Sequence, residues 1–384
     1  MSTVTTPATQ PRVRSRIKAL DVARGVAILG TLATNVWIFS HPGGLLGYIN
    51  HPTSAGAPAL QQGFERLFMA LANGKFLGLL TLMFGIGLVI QAESAARRGA
   101  RWPGRYPLRM GILLVEGLIH FVLIAEFDVL MGYAVTGVIV AFIVVRSPGV
   151  RRAWAIVTGL IHLTVVTLLT ALLLAVPGGD LGQHPDERLY QDGSWWELVV
   201  MRLDNALVFR AEPILIGCLT FALFLIGAEL YRAGVFDERG RALRSRLLVA
   251  GAIALVLDLT LALTLPATVL FSRYVLAPVV AMGLLALIAL LAKDGGGALG
   301  ALLTPVGRMA LSCYIAQNLI CAALFQGWGL GLNAVSPDAR LWVTATAYGV
   351  VCLALVIAAR WWLRRFDAGP VEWVAQKAFR TLAR

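Results

Sequence analysis

The stretch from Pro107 to Gly137 gathers residues able to do chemistry in surroundings that disfavour them. Glu116, His120, Glu126 and Asp128 lie within two apolar runs joined by a very short connection. A charged group at the centre of a bilayer costs about 2.5–3.5 kcal/mol on insertion scales, so such residues face a cavity, a partner or a substrate path. An imidazole with a carboxylate on one ring nitrogen has a fixed tautomer and a better proton acceptor at the other nitrogen. Glu116 precedes His120 by four residues and shares its helical face, whereas Asp128 opens the returning run, so either can supply that carboxylate. At about 1.5 Å per residue, His120 lies roughly 16 Å past Arg109, near mid-depth. His120 and Asp128 are the expected chemical centre. A structural polar tie between two helices is the competing reading.

Holding such residues in place requires membrane-spanning helices. The chain has 384 residues, 58% hydrophobic and 14% charged, with a mean hydropathy of +0.76. This composition excludes an ordinary soluble domain. A hydrocarbon core of about 30 Å takes roughly 20 apolar residues per helix, and helices satisfy their own backbone in lipid. The expected fold is an all-α polytopic membrane protein of about ten spans, at 19–39, 74–92, 107–125, 128–145, 153–175, 211–231, 247–265, 273–292, 305–326 and 340–361. Residues 1–18 read as a disordered basic tail, 19–366 as one transmembrane domain, and 367–384 as an amphipathic C-terminal tail. The segment 177–209 reads as the main outer stretch, with an interfacial helix near 194–209.

The formal charge of +12 is sorted by side rather than clustered for nucleic acid. Alternate segments carry 26 and 7 of the 33 Lys and Arg residues, which places both termini in the cytoplasm. The bilayer with its anionic lipids is therefore the expected partner, and no nucleic acid is. Cys218, Cys313, Cys321 and Cys352 fall inside spans without metal-site spacing, so no metal is expected. No H-E-x-x-H, P-loop or G-x-S-x-G occurs. Pairs such as Gly85-x-Gly87 read as helix packing.

Several blocks together resemble the YeiB-like, DUF418-containing membrane proteins. They are Leu20-Asp21-Val22-Ala23-Arg24-Gly25 with Asn35, Lys75-Phe76 through Gly87, Gly117-Leu118-Ile119-His120 with Asp128 and Tyr133, Gly307-Arg308-Met309-Ala310-Leu311-Ser312 through Tyr314 and Gln317, and Gly369-Pro370-Val371-Glu372-Trp373. That family looks related to transmembrane acyltransferases of the heparan-type and acyltransferase-3 groups, chiefly through Asp21-x-x-Arg24-Gly25. In the acyltransferase-3 pattern a His stands where this chain has Asn35. The heparan-type pattern has Asn there and a His in the next loop, which matches His41, the second candidate base.

The resemblance implies a multi-pass protein of the bacterial inner membrane that moves an acyl group from cytoplasmic acyl-CoA to a hydroxyl or amine acceptor, a sugar or lipid, at the outer leaflet. Arg24 and Arg308 would hold the donor's phosphates, with Asn35 and Gln317 on the developing oxyanion. His120, oriented by Asp128, would take the acceptor's proton, and Lys75, Tyr133 and Tyr314 would contact substrate. Self-association into a homo-oligomer is compatible with this reading. The alternative function is a transporter or flippase for a small or lipidic solute, with His120 and Asp128 as a proton relay.

Overall fold

A computed structural model describes residues 17–175 and 187–383. The basic tail expected over 1–18 lies outside them except for Ile17 and Lys18, as does the 177–186 part of the outer segment. The helices are Lys18–Phe39 (α1), Gly44–Asn50 (α2), Ala59–Ala72 (α3), Lys75–Arg97 (α4), Tyr106–Leu123 (α5) and Leu130–Ile143 (α6). Next come Pro148–Ala175 (α7), Glu187–Asp192 (α8), Trp195–Asp204 (α9), Ala206–Leu215 (α10), Gly217–Arg232 (α11) and Arg241–Thr264 (α12). Val269–Phe271 (α13) passes through a π turn, Ser272–Leu276, into Ala277–Leu291 (α14), followed by Gly297–Arg308 (α15), Ala310–Phe325 (α16), Pro337–Trp362 (α17) and Pro370–Leu382 (α18). No strand occurs among the described residues.

Seven helices are long and apolar enough to cross a membrane, and up to nine if each bent pair counts as one span. The chain is an all-α polytopic membrane protein. The differences from ten straight spans have visible causes. The expected helix 211–231 is bent by 42° between α10 and α11, and 305–326 by 86° between α15 and α16. Pro213 and Pro305 stand inside the first member of each pair, where the ring removes a backbone donor and crowds the preceding turn. The expected span 128–145 is only the 14 residues of α6. At about 1.5 Å per residue that is roughly 21 Å, short of the hydrocarbon thickness.

The outer helices α7, α12 and α17 expose leucine, isoleucine and valine, including Leu168, Val256 and Leu353, the surface expected against lipid. At the centre α1 packs against α4, α15 and α16. Helices in lipid associate by close packing rather than by apolar burial, so small residues mark their crossings. A Cβ on Gly307 would overlap the Asp21 carbonyl oxygen, and one on Gly25 the Leu303 carbonyl. Gly85 meets the Phe224 backbone and Gly227 that of Leu82, locking α4 to α11. The glycines in the sequence blocks are thus contact points between backbones. Gly307→Ala is expected to lower the melting temperature of the purified protein by several degrees, while Gly111→Ala, with open space around it, leaves it unchanged. Equal melting of both variants and the parent would refute this packing argument.

Candidate functional site

His120 ends α5 on its buried side and is 1% exposed, and Asp128, just before α6, is 2% exposed. His120 Nδ1 faces Asp128 Oδ1 at 3.3 Å, without the alignment of a hydrogen bond. Asp128 Oδ2 accepts from the Met131 backbone N–H at 2.9 Å and so caps the start of α6. Gly117 makes room for this, since a Cβ there would crowd Met131 N and Asp128 Oδ2. Glu116 takes no part and faces a different cavity.

The other ring nitrogen is also occupied. His120 Nε2 lies 2.9 Å from Asn318 Nδ2, and Asn35 Nδ2 donates to Asn318 Oδ1 at 3.0 Å. An amide oxygen accepting from Asn35 leaves Asn318 Nδ2 as the donor, so Nε2 must accept and Nδ1 carries the proton towards Asp128. The hydrogen bonds running from Asn35 through Asn318 therefore fix a single tautomer of His120. Tyr314 lies over the imidazole with ring centroids 5.1 Å apart, and Tyr133 meets Thr81, hydroxyl to hydroxyl, at 2.5 Å.

The connection between α5 and α6 is held from above by two arginines. Arg202 of α9 donates to the Val122 and Ile124 carbonyls at 3.2 and 3.1 Å and lies 3.6 Å from Glu126. Arg210 of α10 donates to the Glu126 carbonyl at 2.5 Å and to that of Asp128 at 3.5 Å. Helix α9 opens with a capping box between Ser194 and Glu197, and Trp195 Nε1 donates to the Leu123 carbonyl at 2.9 Å. The described part of the outer segment therefore rests on the α5 end and positions Asp128.

Two cavities flank this network. A narrow chamber of about 90 Å³ is walled by Asn35, Asp128, Tyr133 and Tyr314, with Glu212 and Arg273 at its far side. The π turn places Arg273 there, donating to Glu212 Oε1 at 2.9 Å. His162 Nε2 lies 3.1 Å from the Tyr274 carbonyl, satisfying backbone within that same π turn. A larger cavity of about 610 Å³ lies towards the arginine-rich end, walled by Arg24, Arg109, Glu116, Glu372 and Arg380. Leu80, Tyr133 and Tyr314 line both cavities. Helix α18 roofs the larger one: Glu372 accepts from the Leu311 and Ser312 N–H groups at 2.9 and 3.3 Å and from the Ser312 hydroxyl, capping α16.

Of the residues expected from sequence, Asn35, His120, Asp128, Tyr133 and Tyr314 converge, and Arg24 lines the larger cavity. His120 lines neither cavity, so Asp128 is the member of the pair that faces open space. Arg308 lies outside both cavities and donates to the Asp367 carbonyl at 3.3 Å. Lys75 is buried in an ion pair with Asp258 and donates to the Ala70 carbonyl at 2.5 Å. Gln317 lines neither cavity, and its Nε2 donates at 3.3 Å to Thr31, which lines the smaller chamber. Asn318, Arg202 and Arg210 escaped the sequence reading. For Asn318 the signal was an amide beside Gln317 in an apolar span. Among the described residues, no three His, Cys, Asp or Glu side chains are grouped to hold a metal.

His41 lies beyond the end of α1, 6% exposed. Gly43 N–H donates to its Nδ1 at 3.0 Å, so Nε2 carries the proton and donates to the His51 carbonyl at 3.0 Å. Burial first, then the nearby Arg340 cation, lowers its pKa from 6.5 to about 3. Both nitrogens are spent on backbone. Below pH 6.5 the unfolded chain takes a proton that the folded ring refuses until about pH 3, so this group makes stability drop as the pH is lowered through that window. The slope reaches about 1.4 kcal/mol per pH unit. His41→Asn is expected to flatten the decline in melting temperature between pH 7 and pH 5. Parallel curves for parent and variant would show the ring is not held neutral.

Residues 230–381 match the family described as "Protein of unknown function (DUF418)". The chain is 28% identical to "Uncharacterized protein YxaH" of Bacillus subtilis (strain 168), over 94% of each chain. It is 31% identical to "Uncharacterized protein YeiB" of Escherichia coli (strain K12), over 92% of this chain and 94% of the relative. With that likeness running nearly end to end, the chain belongs to the YeiB-like, DUF418-containing family of membrane proteins.

Proposed function

We propose that the protein is a transmembrane acyltransferase of the bacterial inner membrane, with its arginine-rich end in the cytoplasm. The observation that carries this is the placement of two cavities towards opposite ends, sharing the walls Leu80, Tyr133 and Tyr314, with Asp128 and Asn35 lining the smaller one. The donor is a coenzyme A thioester in the larger cavity. Arg24, Arg109 and Arg380 face its phosphates, which guanidinium groups match in a two-donor fork. The acyl group reaches between Tyr133 and Tyr314, and an acceptor hydroxyl or amine enters the chamber from the other side.

Asp128 takes the acceptor's proton as the acceptor's oxygen or nitrogen bonds to the acyl carbon. Asn35 has a second amide N–H beyond the one given to Asn318, and it serves the developing oxyanion. Collapse breaks the carbon–sulfur bond, and the coenzyme A thiolate leaves and takes up a proton. His120 positions Asp128 through its Nδ1–H and does not itself touch substrate. This reverses the roles that sequence alone suggests for the pair.

Coenzyme A is expected to stabilise the purified protein saturably, by about 2.7 kcal/mol at a hundredfold excess over Kd. Arg24→Ala and Arg109→Ala should lose that response while Arg308→Ala keeps it, and an identical response in all three would sink the donor assignment. In proteoliposomes, Asp128→Asn should cut thiol release from acetyl-CoA by more than about a hundredfold. Solute exchange across the bilayer without any thiol release would identify a carrier instead.

A further inference from the structure

A third cavity, of about 320 Å³, lies at the end away from the arginine-rich face and is walled by His41, Ser54, Asn333 and Arg340, with Glu187 also lining it. Arg340 stands in the first turn of α17 and is 5% exposed. Among the described residues its Nε and Nη2 have no hydrogen-bond partner, and both are closed to bulk water. No carboxylate among the described residues comes within 4.0 Å of it. The other deeply buried arginines differ. Arg202 meets Glu126 and two carbonyls, Arg151 meets Glu229, and Arg244 donates to the Val235 and Asp237 carbonyls.

Glu65 acts on Arg340 electrostatically, but its carboxylate is committed elsewhere. Oε2 accepts from Ser54 N and Oε1 from the Ser54 hydroxyl, both at 2.8 Å. His41 is neutral with both nitrogens engaged and supplies no counter-charge. Asn333 adds a second orphan: its Nδ2 donates to the Tyr190 carbonyl at 3.0 Å, while its Oδ1 has no partner among the described residues. A buried cation without a counter-ion is costly by several kcal/mol, and a lone buried acceptor adds to that.

We propose that this cavity binds a molecule carrying an oxyanion, phosphate or carboxylate, next to a hydroxyl. Arg340 is the counter-ion for the oxyanion, and Asn333 Oδ1 accepts from the hydroxyl. A glycerol-phosphate unit has this chemistry, whether it is a phospholipid headgroup or a free solute. The inference stands apart from the acyl-transfer reading, because none of these residues belongs to the donor cavity or the Asp128 chamber.

The test uses the full-length protein in uncharged detergent. Thermal unfolding is followed against glycerol 3-phosphate, and native mass spectrometry compares retained phosphatidylglycerol with phosphatidylcholine. Saturable stabilisation by the solute points to a soluble ligand, and selective retention of phosphatidylglycerol to the lipid. In either case Arg340→Gln should weaken binding about tenfold or more, with Arg340→Lys intermediate because it keeps the charge but not the fork. Glu65→Gln removes an opposing charge and should tighten binding about threefold, so it carries the test if Arg340→Gln fails to fold. Equal affinity across the parent, Arg340→Gln and Glu65→Gln, or no binding of either probe, overturns the proposal.

Discussion

The site depends on one constraint: the chain between α5 and α6 leaves helical geometry while still buried, and its carbonyls need donors that a helix would have supplied. Arg202 and Arg210 supply them, bonding the carbonyls of Val122, Ile124, Glu126 and Asp128. Two rigid forks from α9 and α10 thereby fix a turn of only a few residues. The consequence for chemistry is direct. Asp128 is held where it caps α6 with one oxygen and meets His120 with the other. Without the arginines the turn would have unsatisfied backbone, and the carboxylate would lose its bearing on the imidazole.

Much of this was legible in the sequence because local rules govern it. The apolar runs marked the helices, and the closeness of His120 and Asp128 in the chain meant that a hairpin would bring them together. What escaped needed tertiary proximity. Asn318 is 198 residues from His120, yet it decides which ring nitrogen carries the proton. Arg202 and Arg210 counted as charges of an outer segment, since nothing local shows that they point down onto a turn. Lys75 stood out as a candidate substrate contact, but its pairing with Asp258 across 183 residues makes it a buried tie between α4 and α12. The bends at Pro213 and Pro305 were signalled by the prolines themselves, but hydropathy averages over a break and reports one span.

The blocks that carry the family resemblance divide into two physical kinds. Gly25, Gly85 and Gly307 are where backbones touch, and Glu372 caps α16 from another helix while Gly369 gives it room beside the Ser312 hydroxyl. These residues describe how the bundle closes and would serve any chemistry performed inside it. Asn35, His120, Asp128, Tyr133 and Tyr314 are the second kind: polar side chains gathered at one depth from four helices and a turn. A fold needing only stability would fill that space with apolar groups, because a fully bonded buried polar network offers little stability over well-packed hydrocarbon.

The state of His120 bears on how that network can act. Its Nε2 accepts from Asn318 and its Nδ1–H faces a carboxylate, so taking a further proton would mean displacing an amide that is itself bonded to Asn35. Asp128 faces the chamber and needs no such rearrangement. The chain from Asn35 through Asn318 and His120 to Asp128 therefore orients both the amide and the carboxylate that border the chamber. On the proposed acyl-transfer reading, a single displaced member would disturb the oxyanion donor and the proton acceptor together, so the chain would place two opposite functions across one small space.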